Sequence, residues 1–497
     1  MSDVDLLVVG GGINGAGIAR DAAGRGLSVC LVEQDDLAAH TSSASTKLIH
    51  GGLRYLEQYE LRLVREALSE RERLMAIAPH LIRPQRFVLP YVEGLRPRWL
   101  LRLGLFVYDH AGGREKLAAS GSVDLAGTPL GAPLRDGMQS GFEYSDCWVD
   151  DARLVVLNAL DAAERGATIL TRTRLLSARA EGRGWLAICE DRGTGRRIAI
   201  RARALVNAGG AWAASLLHGA IGLSTPSSLR LVKGSHLVFP RLYEGDHAYL
   251  LQGPDRRVVF AIPYEEHYTL VGTTDTPFDD DPSQVDVDAA EVDYLCACAS
   301  RFFRQPLRAA DIVWRYAGVR ALYDSGAATA QTVSRDYHLE TGSCEGGAPL
   351  LSVFGGKITT YRRLAEAALA KLLPALDRID LDPWTSGTPL PGGDIPGGDM
   401  GRFVAHALER WHGLPPGLVR QLAHRHGTRM ARILGTARDL HDLGDDFGGG
   451  LTGAEVGYLR REEWARTAED ILWRRTKAGL HGADAAKLAS ALEPGRY

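Results

Sequence analysis

Three glycines near the start of the chain have the spacing of a phosphate-binding turn. Residues 4–36 contain an apolar run typical of a buried parallel strand, then Gly10, Gly12 and Gly15, then an Ala-rich helical stretch. Gly10 allows the tight turn, Gly12 lets backbone approach a pyrophosphate, and Gly15 lets helix and strand pack closely. The helix N-terminus offers N–H groups and the positive end of its dipole to phosphates. The pattern predicts a dinucleotide site, against the alternative of a turn without a ligand.

An acidic residue supports this interpretation. A second apolar run, residues 27–32, ends at Glu33, where a carboxylate can accept hydrogen bonds from a ribose. An acid there disfavours NADP, whose 2′-phosphate is better matched by arginine. The motif does not by itself distinguish NAD from FAD. Its place at the start of the chain favours FAD, because many flavoproteins begin with the nucleotide-binding strand.

The composition excludes several classes of protein. A length of 497 residues is enough for two to four domains, and a net charge of −3 gives no signal for nucleic acid. The six cysteines form no CxxC pair, so we expect reduced thiols and no metal site. We expect no signal peptide, because residues 1–9 carry no basic region, and no bilayer-spanning run.

One segment has an unusual charge pattern. Residues 83–116 hold seven basic side chains against three acidic ones, around an apolar stretch at residues 99–108 that begins with Trp99 and ends with Tyr108. Basic and aromatic flanks suit a helix lying on an anionic membrane surface. A buried helix with a charged rim fits equally well.

Periodicity predicts an α/β fold, α+β overall. Helical patterns cover residues 61–78, 150–164 and 288–303, and short alternating segments at 168–201 indicate an antiparallel meander. Strand patterns dominate residues 229–277, whereas residues 82–144 show loops and short elements with little periodicity. A Pro/Gly-rich stretch resembles a linker, and the last hundred residues have helical periodicity.

Four segments, together with the C-terminal AEDILWRRTKAGL, resemble one enzyme family. They are GGGINGAG, STKLIHGGLRYLE, VNAGGAW and GGKITTYRRLAE. They are similar to the FAD-dependent glycerol-3-phosphate dehydrogenases, the respiratory, quinone-linked enzymes. The resemblance covers nearly the whole chain, although residues 112–140 match no motif.

The resemblance implies an architecture, a reaction and a location. It implies a Rossmann-like FAD-binding domain of the glutathione-reductase type, a β-rich substrate cap and a C-terminal helical domain. The reaction would be oxidation of sn-glycerol 3-phosphate to dihydroxyacetone phosphate, with hydride passing from C2 to N5 of FAD and electrons passing to a membrane quinone. The protein would be a homodimer in the cytoplasm, attached peripherally to the anionic inner face of the membrane.

We expect the chain to divide accordingly. The FAD-binding domain would comprise residues 1–80, 145–225 and 310–380, and the substrate domain residues 81–144 and 226–309. Residues 381–398 would be the linker and residues 399–497 the C-terminal domain.

Oxidation of a secondary alcohol by a flavin needs a base, a hydride path and an anchor for the rest of the substrate. Six residues at family motif positions are candidates: His50, Arg54, Tyr55, His236, Arg320 and Lys357. The three cations would hold the phosphate and stabilise the reduced, anionic flavin. One histidine would accept the hydroxyl proton, with a slight preference for His236, and Tyr55 would orient the substrate. Structural histidines and salt bridges within the cap are the alternatives.

Residues that would bind the cofactor lie in five stretches of sequence. They are Gly10, Gly12, Ile13, Asn14, Gly15, Glu33, Gln34, Ser42, Ser45, Thr46, Lys47, Asn207, Ala208, Gly209, Gly355, Gly356, Lys357, Ile358 and Thr359. We expect FAD to be bound non-covalently, because no conspicuous attachment motif is present.

Three rival functions remain at this point. An amine or amino-acid oxidase of the same fold would need a single carboxylate anchor rather than three cations. An oxidase that transfers electrons to O2 would share the redox motifs. A non-catalytic FAD-binding sensor would not need the histidines and arginines together.

Overall fold

The chain forms two large β-sheets and a C-terminal helical unit in a computed structural model, which describes residues 2–53, 60–93, 96–225, 227–255, 257–324, 336–343 and 347–493. The strands are β1 (Ser2–Val9), β2 (Val29–Val32), β3 (Leu48–Ile49), β4 (Ile82–Pro90), β5 (Gly121–Asp124), β6 (Ser140–Val149), β7 (Thr168–Leu170), β8 (Thr173–Glu181), β9 (Gly184–Asp191), β10 (Arg197–Asn207), β11 (Leu229–Pro240), β12 (Ala248–Gln252), β13 (Val258–Tyr264), β14 (Tyr268–Gly272), β15 (Thr276–Pro277), β16 (Trp314–Tyr323), β17 (Tyr337–Ser343) and β18 (Pro349–Gly355). The helices are α1 (Ile13–Gly24), α2 (Leu61–Ile77), α3 (Arg98–Ala111), α4 (Asp151–Glu164), α5 (Ala213–Leu216), α6 (Ala289–Ser300), α7 (Tyr361–Leu372), α8 (Met400–Arg410), α9 (Pro416–His426), α10 (Met430–Leu434), α11 (Gly453–Glu462) and α12 (Ala485–Ala491). The predicted α/β class is confirmed.

The first sheet is built around the strand that precedes the glycine turn. Its order is β17-β18-β10-β1-β2-β7, and the central strands β18, β10, β1, β2 and β7 pair in parallel. The apolar run of β1, Leu6 to Val9, is buried, as expected of a parallel strand covered on both faces. Helix α1 packs against α4 and α7. Because only residues 10–12 separate β1 from α1, the carboxyl end of the strand lies next to the start of the helix. The predicted meander is confirmed, because β8, β9 and β10 pair antiparallel.

The second sheet carries the other strands. Its order is β15-β11-β14-β13-β12-β4-β6-β3, with β16 paired to β11 and β5 paired to β6. Strand β11 lies between β14 and β16, so His236 is opposite both Gly272 and Tyr316. Helix α6 covers this sheet, and its N-terminus is closed by a capping box between Asp288 and Glu291.

The sequence prediction of only short elements over residues 82–144 is wrong. Strands β4 and β6 are nine and ten residues long and pair along the whole of β4. Two prolines hide β4 in the sequence, because proline lacks the N–H that a central strand needs. They are tolerated because β12 pairs with β4 only at Phe87 and Val88, away from Pro84 and Pro90.

The predicted domain boundaries stay a prediction. Strands β3 and β16 belong to the second sheet, although their residues lie in segments that the sequence assigned to the FAD-binding domain. The C-terminal helices have an apolar core of their own, which includes Trp411, Leu422 and Leu459.

Two expectations about the whole chain can be compared with the structure. Within the residues described, no helix combines the length and the apolar character that crossing a bilayer requires. The five cysteines in this part of the chain are free thiols. Cys344 lies outside the described residues.

Candidate active site

The glycine turn is shaped by contacts that leave no room for side chains at two of its positions. Gly10 has a φ of +113°, and a Cβ there would overlap the carbonyl oxygen of Ala208. A Cβ on Gly15 would overlap the carbonyl oxygen of Gly10, so this glycine allows the helix to approach the strand. A Cβ on Gly12 would meet only the Ser42 hydroxyl, at 3.1 Å. Gly12 therefore presents open backbone to a cavity.

Two adjoining cavities meet at this turn. One has a volume of about 400 Å³ and is lined by Glu33, Gln34 and the residues that follow β10, beginning with Ala208. The other has a volume of about 340 Å³ and extends towards the second sheet. Both are lined by Gly12 and Ser42. An elongated space with a helix N-terminus at its middle fits a dinucleotide whose pyrophosphate lies at the turn.

Polar groups on the cavity walls also fit a dinucleotide. Asn14 donates from Nδ2 to the carbonyl of Gly355, 3.2 Å away, while its buried Oδ1 has no hydrogen-bond partner among the described residues. The Glu33 carboxylate accepts from the backbone N–H groups of Gly11 and Asp35, at 2.6 and 2.8 Å, and burial raises its pKa. These groups could bind the cofactor.

The hydroxyl-rich loop places three of its four predicted residues on a cavity wall. Ser42, Ser45 and Thr46 line the 340 Å³ cavity, and Ser42 Oγ accepts from the N–H of Ile13 at 3.0 Å. Lys47 instead points away from the cavity. Its ammonium is buried against the Asp151 carboxylate at 2.7 Å, and its pKa is lowered by burial. Lys47 anchors the loop rather than contacting the cavity.

The two other predicted stretches differ in how they contribute. Ala208 and Gly209 line the cavities, but the Asn207 side chain is fully buried and bonds to Ala213 O and Gly209 N, at 2.8 and 3.2 Å. Asn207 therefore shapes the turn. The segment from Gly355 to Thr359 lines the wall of the 340 Å³ cavity that faces Asn14.

The structure brings three of the six catalytic candidates to one cavity. His50, Arg320 and Lys357 all line the 340 Å³ cavity. Arg54 and Tyr55 lie outside the described residues. His236 is 1% exposed and lies behind the wall, with its ring stacked on Tyr316 at 4.9 Å and its Nε2 2.9 Å from the Thr46 hydroxyl.

The electrostatics of His236 follow from this position. Burial lowers its pKa well below the usual value, and the nearby cations Arg320 and Lys47 lower it further. The imidazole is therefore neutral at working pH, and it reaches the cavity through Thr46.

Arg320 is both a cavity residue and a salt-bridge partner. Its guanidinium donates to the carboxylate of Asp275, to Thr273 Oγ1 at 2.8 Å and to the Thr274 carbonyl at 3.1 Å. Asp275 also lines the cavity, although no motif in the sequence indicated it. The only available signal was an acid just after a strand, in GTTDTP.

Further wall residues were also missed. Asp146 lines the cavity and accepts from Tyr108 and Arg71, both at 2.7 Å, while burial raises its pKa. Arg96, which in the sequence was only one of seven basic residues in the segment 83–116, lines the cavity and donates to Gln252 at 2.9 Å. The rest of this end is apolar: Leu53, Leu101, Leu250, Val258 and Phe260.

Comparisons with known proteins identify the class. Residues 5–362 match the family model described as FAD dependent oxidoreductase, and residues 384–492 match the C-terminal domain of alpha-glycerophosphate oxidase. The chain belongs to the FAD dependent oxidoreductase family. It is an enzyme and FAD is its cofactor. This confirms the prediction of FAD, which the position of the glycine motif in the chain and the family resemblance favoured.

Individual relatives share almost the whole chain. Glycerol-3-phosphate dehydrogenase of Pseudomonas aeruginosa is 52% identical, over 96% of this chain and 92% of the relative. Aerobic glycerol-3-phosphate dehydrogenase of Escherichia coli is 48% identical, over 97% and 95%. D-erythritol 1-phosphate dehydrogenase of Brucella abortus is 50% identical, over 98% and 96%. Among solved structures, the glycerol-3-phosphate dehydrogenase from Bacillus halodurans complexed with FAD superposes with a TM-score of 0.74 at 28% identity, over 96% of this chain and 86% of that one.

Proposed function

We propose that this enzyme oxidises sn-glycerol 3-phosphate to dihydroxyacetone phosphate and passes the electrons to a membrane quinone. The observation that carries the proposal is the placement of His50, Arg320 and Lys357 on one cavity, which adjoins the dinucleotide turn. Two cations suit a phosphate, because guanidinium and ammonium groups bind phosphate oxygens strongly. The relatives from Pseudomonas aeruginosa and Escherichia coli support this choice of substrate.

FAD, when bound, supplies the hydride acceptor. Arg320 and Lys357, with Arg54 as the third predicted cation, would anchor the phosphate. His50 would accept the hydroxyl proton, which its position on the cavity wall supports. His236 would orient Thr46 from behind the wall, so the slight preference for His236 from sequence gives way to His50. Tyr55 would orient the substrate, as the resemblance implies.

The relative from Brucella abortus raises a second candidate substrate, D-erythritol 1-phosphate, which is one carbon longer. Both substrates present a phosphate and a secondary alcohol, and they differ at the end remote from the phosphate. The same assay therefore tests both.

The decisive experiment is anaerobic reduction of the purified, FAD-loaded protein. Glycerol 3-phosphate should bleach the flavin absorbance, whereas plain glycerol should not. Faster bleaching by D-erythritol 1-phosphate would reassign the substrate, and bleaching only by D-alanine or sarcosine would contradict the proposal. Reoxidation by a soluble quinone analogue, measured against reoxidation by O2, would separate a dehydrogenase from an oxidase.

Attachment to an anionic membrane surface is also part of this proposal. Helix α3 exposes Trp99, Leu103 and Phe106 at 68%, 51% and 58%, and it carries the exposed cations Arg98 and Arg102. This pattern fits an interfacial helix better than the buried-helix alternative. Leu101 of the same helix lines the 340 Å³ cavity, so a quinone could reach that cavity from the membrane.

Vesicle binding tests the attachment. Replacing Trp99 and Phe106 together by Ser should release the protein from vesicles containing anionic lipid. Each replacement removes apolar surface that membrane binding would bury. The matched control is Ile379→Ser, which removes a side chain that is 83% exposed elsewhere on the surface. Equal release by both variants would contradict a role for α3.

The proposed homodimer is tested by the solution mass of the detergent-free protein.

A further inference from the structure

One short segment of the C-terminal unit contacts the loop after β2 directly and is linked through Trp314 and Tyr316 to the loop of residues 41–47. Both loops line the dinucleotide cavities. We propose that residues 470–477 are a positioning element for the FAD site. In this proposal Arg475 fixes the loop after β2, and Trp473 fixes the loop of residues 41–47 through a stack of rings. The proposal does not depend on which substrate the enzyme oxidises.

The first connection is ionic. Arg475 donates from both terminal nitrogens to the Asp36 carboxylate, at 2.7 and 2.8 Å, and Arg474 Nε donates to the same carboxylate at 2.7 Å. Asp36 is 2% exposed and lies three residues after Glu33. Because a bidentate guanidinium contact fixes angle as well as distance, it restrains the loop that lines the 400 Å³ cavity.

A second ion pair links residues 470–477 to the same loop through Arg172. The buried Asp470 accepts from Arg172 at 2.7 and 2.9 Å. The backbone N–H of Arg172 in turn donates to the carbonyl of Asp35 at 2.7 Å. Separating the partners of such a buried ion pair would leave an unpaired charge, which is costly. The ion pair therefore restrains the position of the loop.

The third connection is a stack of aromatic rings. Trp473 stacks on Trp314 at 4.6 Å between ring centroids, Trp314 lies 5.0 Å from Tyr316, and Tyr316 stacks on His236 at 4.9 Å. The stack ends at the cavity wall. Tyr316 donates to the Ser45 carbonyl at 2.8 Å, and His236 bonds to Thr46 at 2.9 Å.

The two loops meet the cofactor space at different ends. One places Glu33 and Gln34, and the other places Ser42, Ser45 and Thr46. A single segment that contacts one loop directly and the other through the ring stack restrains their separation before FAD binds. Preorganisation of this kind raises affinity, because less ordering is needed on binding.

The experiment is a double-mutant cycle on FAD affinity. The variants are Trp473→Leu, Trp314→Leu and the double variant, and each apoprotein is titrated with FAD while flavin fluorescence is recorded. Each single variant should raise the Kd about fivefold, as expected for the loss of one aromatic pair. The double variant should also raise it about fivefold, because the two rings act as one unit.

The matched control is Trp411→Leu. Trp411 is buried in the apolar core of the C-terminal unit and bonds to Gly435 within it. This change should lower the melting temperature and leave the Kd unchanged, and Trp473→Phe should restore affinity. A wild-type Kd for Trp473→Leu, an equal rise in Trp411→Leu, or single effects that multiply in the double variant would each overturn the proposal.

A second measurement covers the case in which the tryptophan variants do not fold. Arg475→Lys keeps the charge but loses the bidentate contact with Asp36. The rise in melting temperature on adding FAD should be smaller in this variant than in wild type. An unchanged rise would overturn the proposal.

Discussion

Replacing Gly12 by Ala separates two uses of glycine that the motif combines. Gly12 has a φ of −81°, which alanine adopts readily, and its new methyl group would lie 3.1 Å from the Ser42 hydroxyl. We therefore expect the apoprotein to lose at most about 1 kcal/mol, the usual scale for a change at a helix N-cap. FAD binding should suffer far more, because the methyl group occupies the surface that the pyrophosphate approaches.

The expected loss of affinity follows from the hydrogen bonds that would be broken. A phosphate at the start of α1 accepts from backbone N–H groups, and a hydrogen bond to a charged group contributes about 1.5–3 kcal/mol. Loss of two such bonds corresponds to about 3–6 kcal/mol, or a Kd raised about 10²- to 10⁴-fold.

The assay compares apoprotein melting temperature with FAD affinity in Gly12→Ala and Gly15→Ala. A Cβ on Gly15 would overlap the backbone of Gly10, so this second variant should destabilise the apoprotein itself. Gly12→Ala should melt close to wild type and bind FAD poorly. If Gly12→Ala binds FAD within threefold of wild type, the pyrophosphate does not lie at this turn and the assignment of the two cavities fails.

Three further predictions concern the active site and the buried histidines. His50→Gln should slow anaerobic flavin reduction by about 10²- to 10⁴-fold, as expected for loss of a general base, and His236→Gln should slow it less; the reverse order would return the role of base to His236. Arg320→Ala should lower kcat/KM, with a loss of about 3 kcal/mol of transition-state stabilisation. An unchanged kcat/KM would show that Arg320 does not bind the substrate. Burial lowers the pKa of His80 from 6.5 to about 3, so the unfolded chain binds a proton below pH 6.5 that the folded chain excludes, and stability falls as the pH decreases. His80→Leu should remove about 2 kcal/mol of the stability difference between pH 8 and pH 5, and an unchanged pH dependence of the melting temperature would contradict this.

The glycine turn could be predicted because its requirements are local. A strand, a turn with positive φ and a helix within thirty residues depend on near neighbours, and Gly10 and Gly15 make the close contacts that the pattern requires. The parallel strand β1 could likewise be predicted from a short apolar run, and the meander from short alternating segments.

The role of Lys47 could not be predicted, because it depends on a contact with a residue distant in sequence. A lysine after a run of hydroxyls, beside a nucleotide fold, indicates a phosphate contact. Its carboxylate partner is Asp151, 104 residues further along the chain, and only the packing of α4 against the loop brings the two together. His236 is a similar case, because which way it faces is set by the register of β11 between β14 and β16.

The charge of the substrate end also depends on contacts that no motif contains. Sequence suggested three converging cations, whereas the structure adds the carboxylates of Asp275 and Asp146 to the same cavity wall. Asp275 need not weaken the phosphate site, because a guanidinium has five donors and can bind a carboxylate while it also binds a phosphate. A fixed carboxylate holds the arginine in place before the substrate arrives, which lowers the cost of ordering it. A salt bridge to Arg320, the alternative to phosphate binding, is therefore compatible with phosphate binding. The guanidinium can bind Asp275 with some of its N–H donors and the phosphate with others.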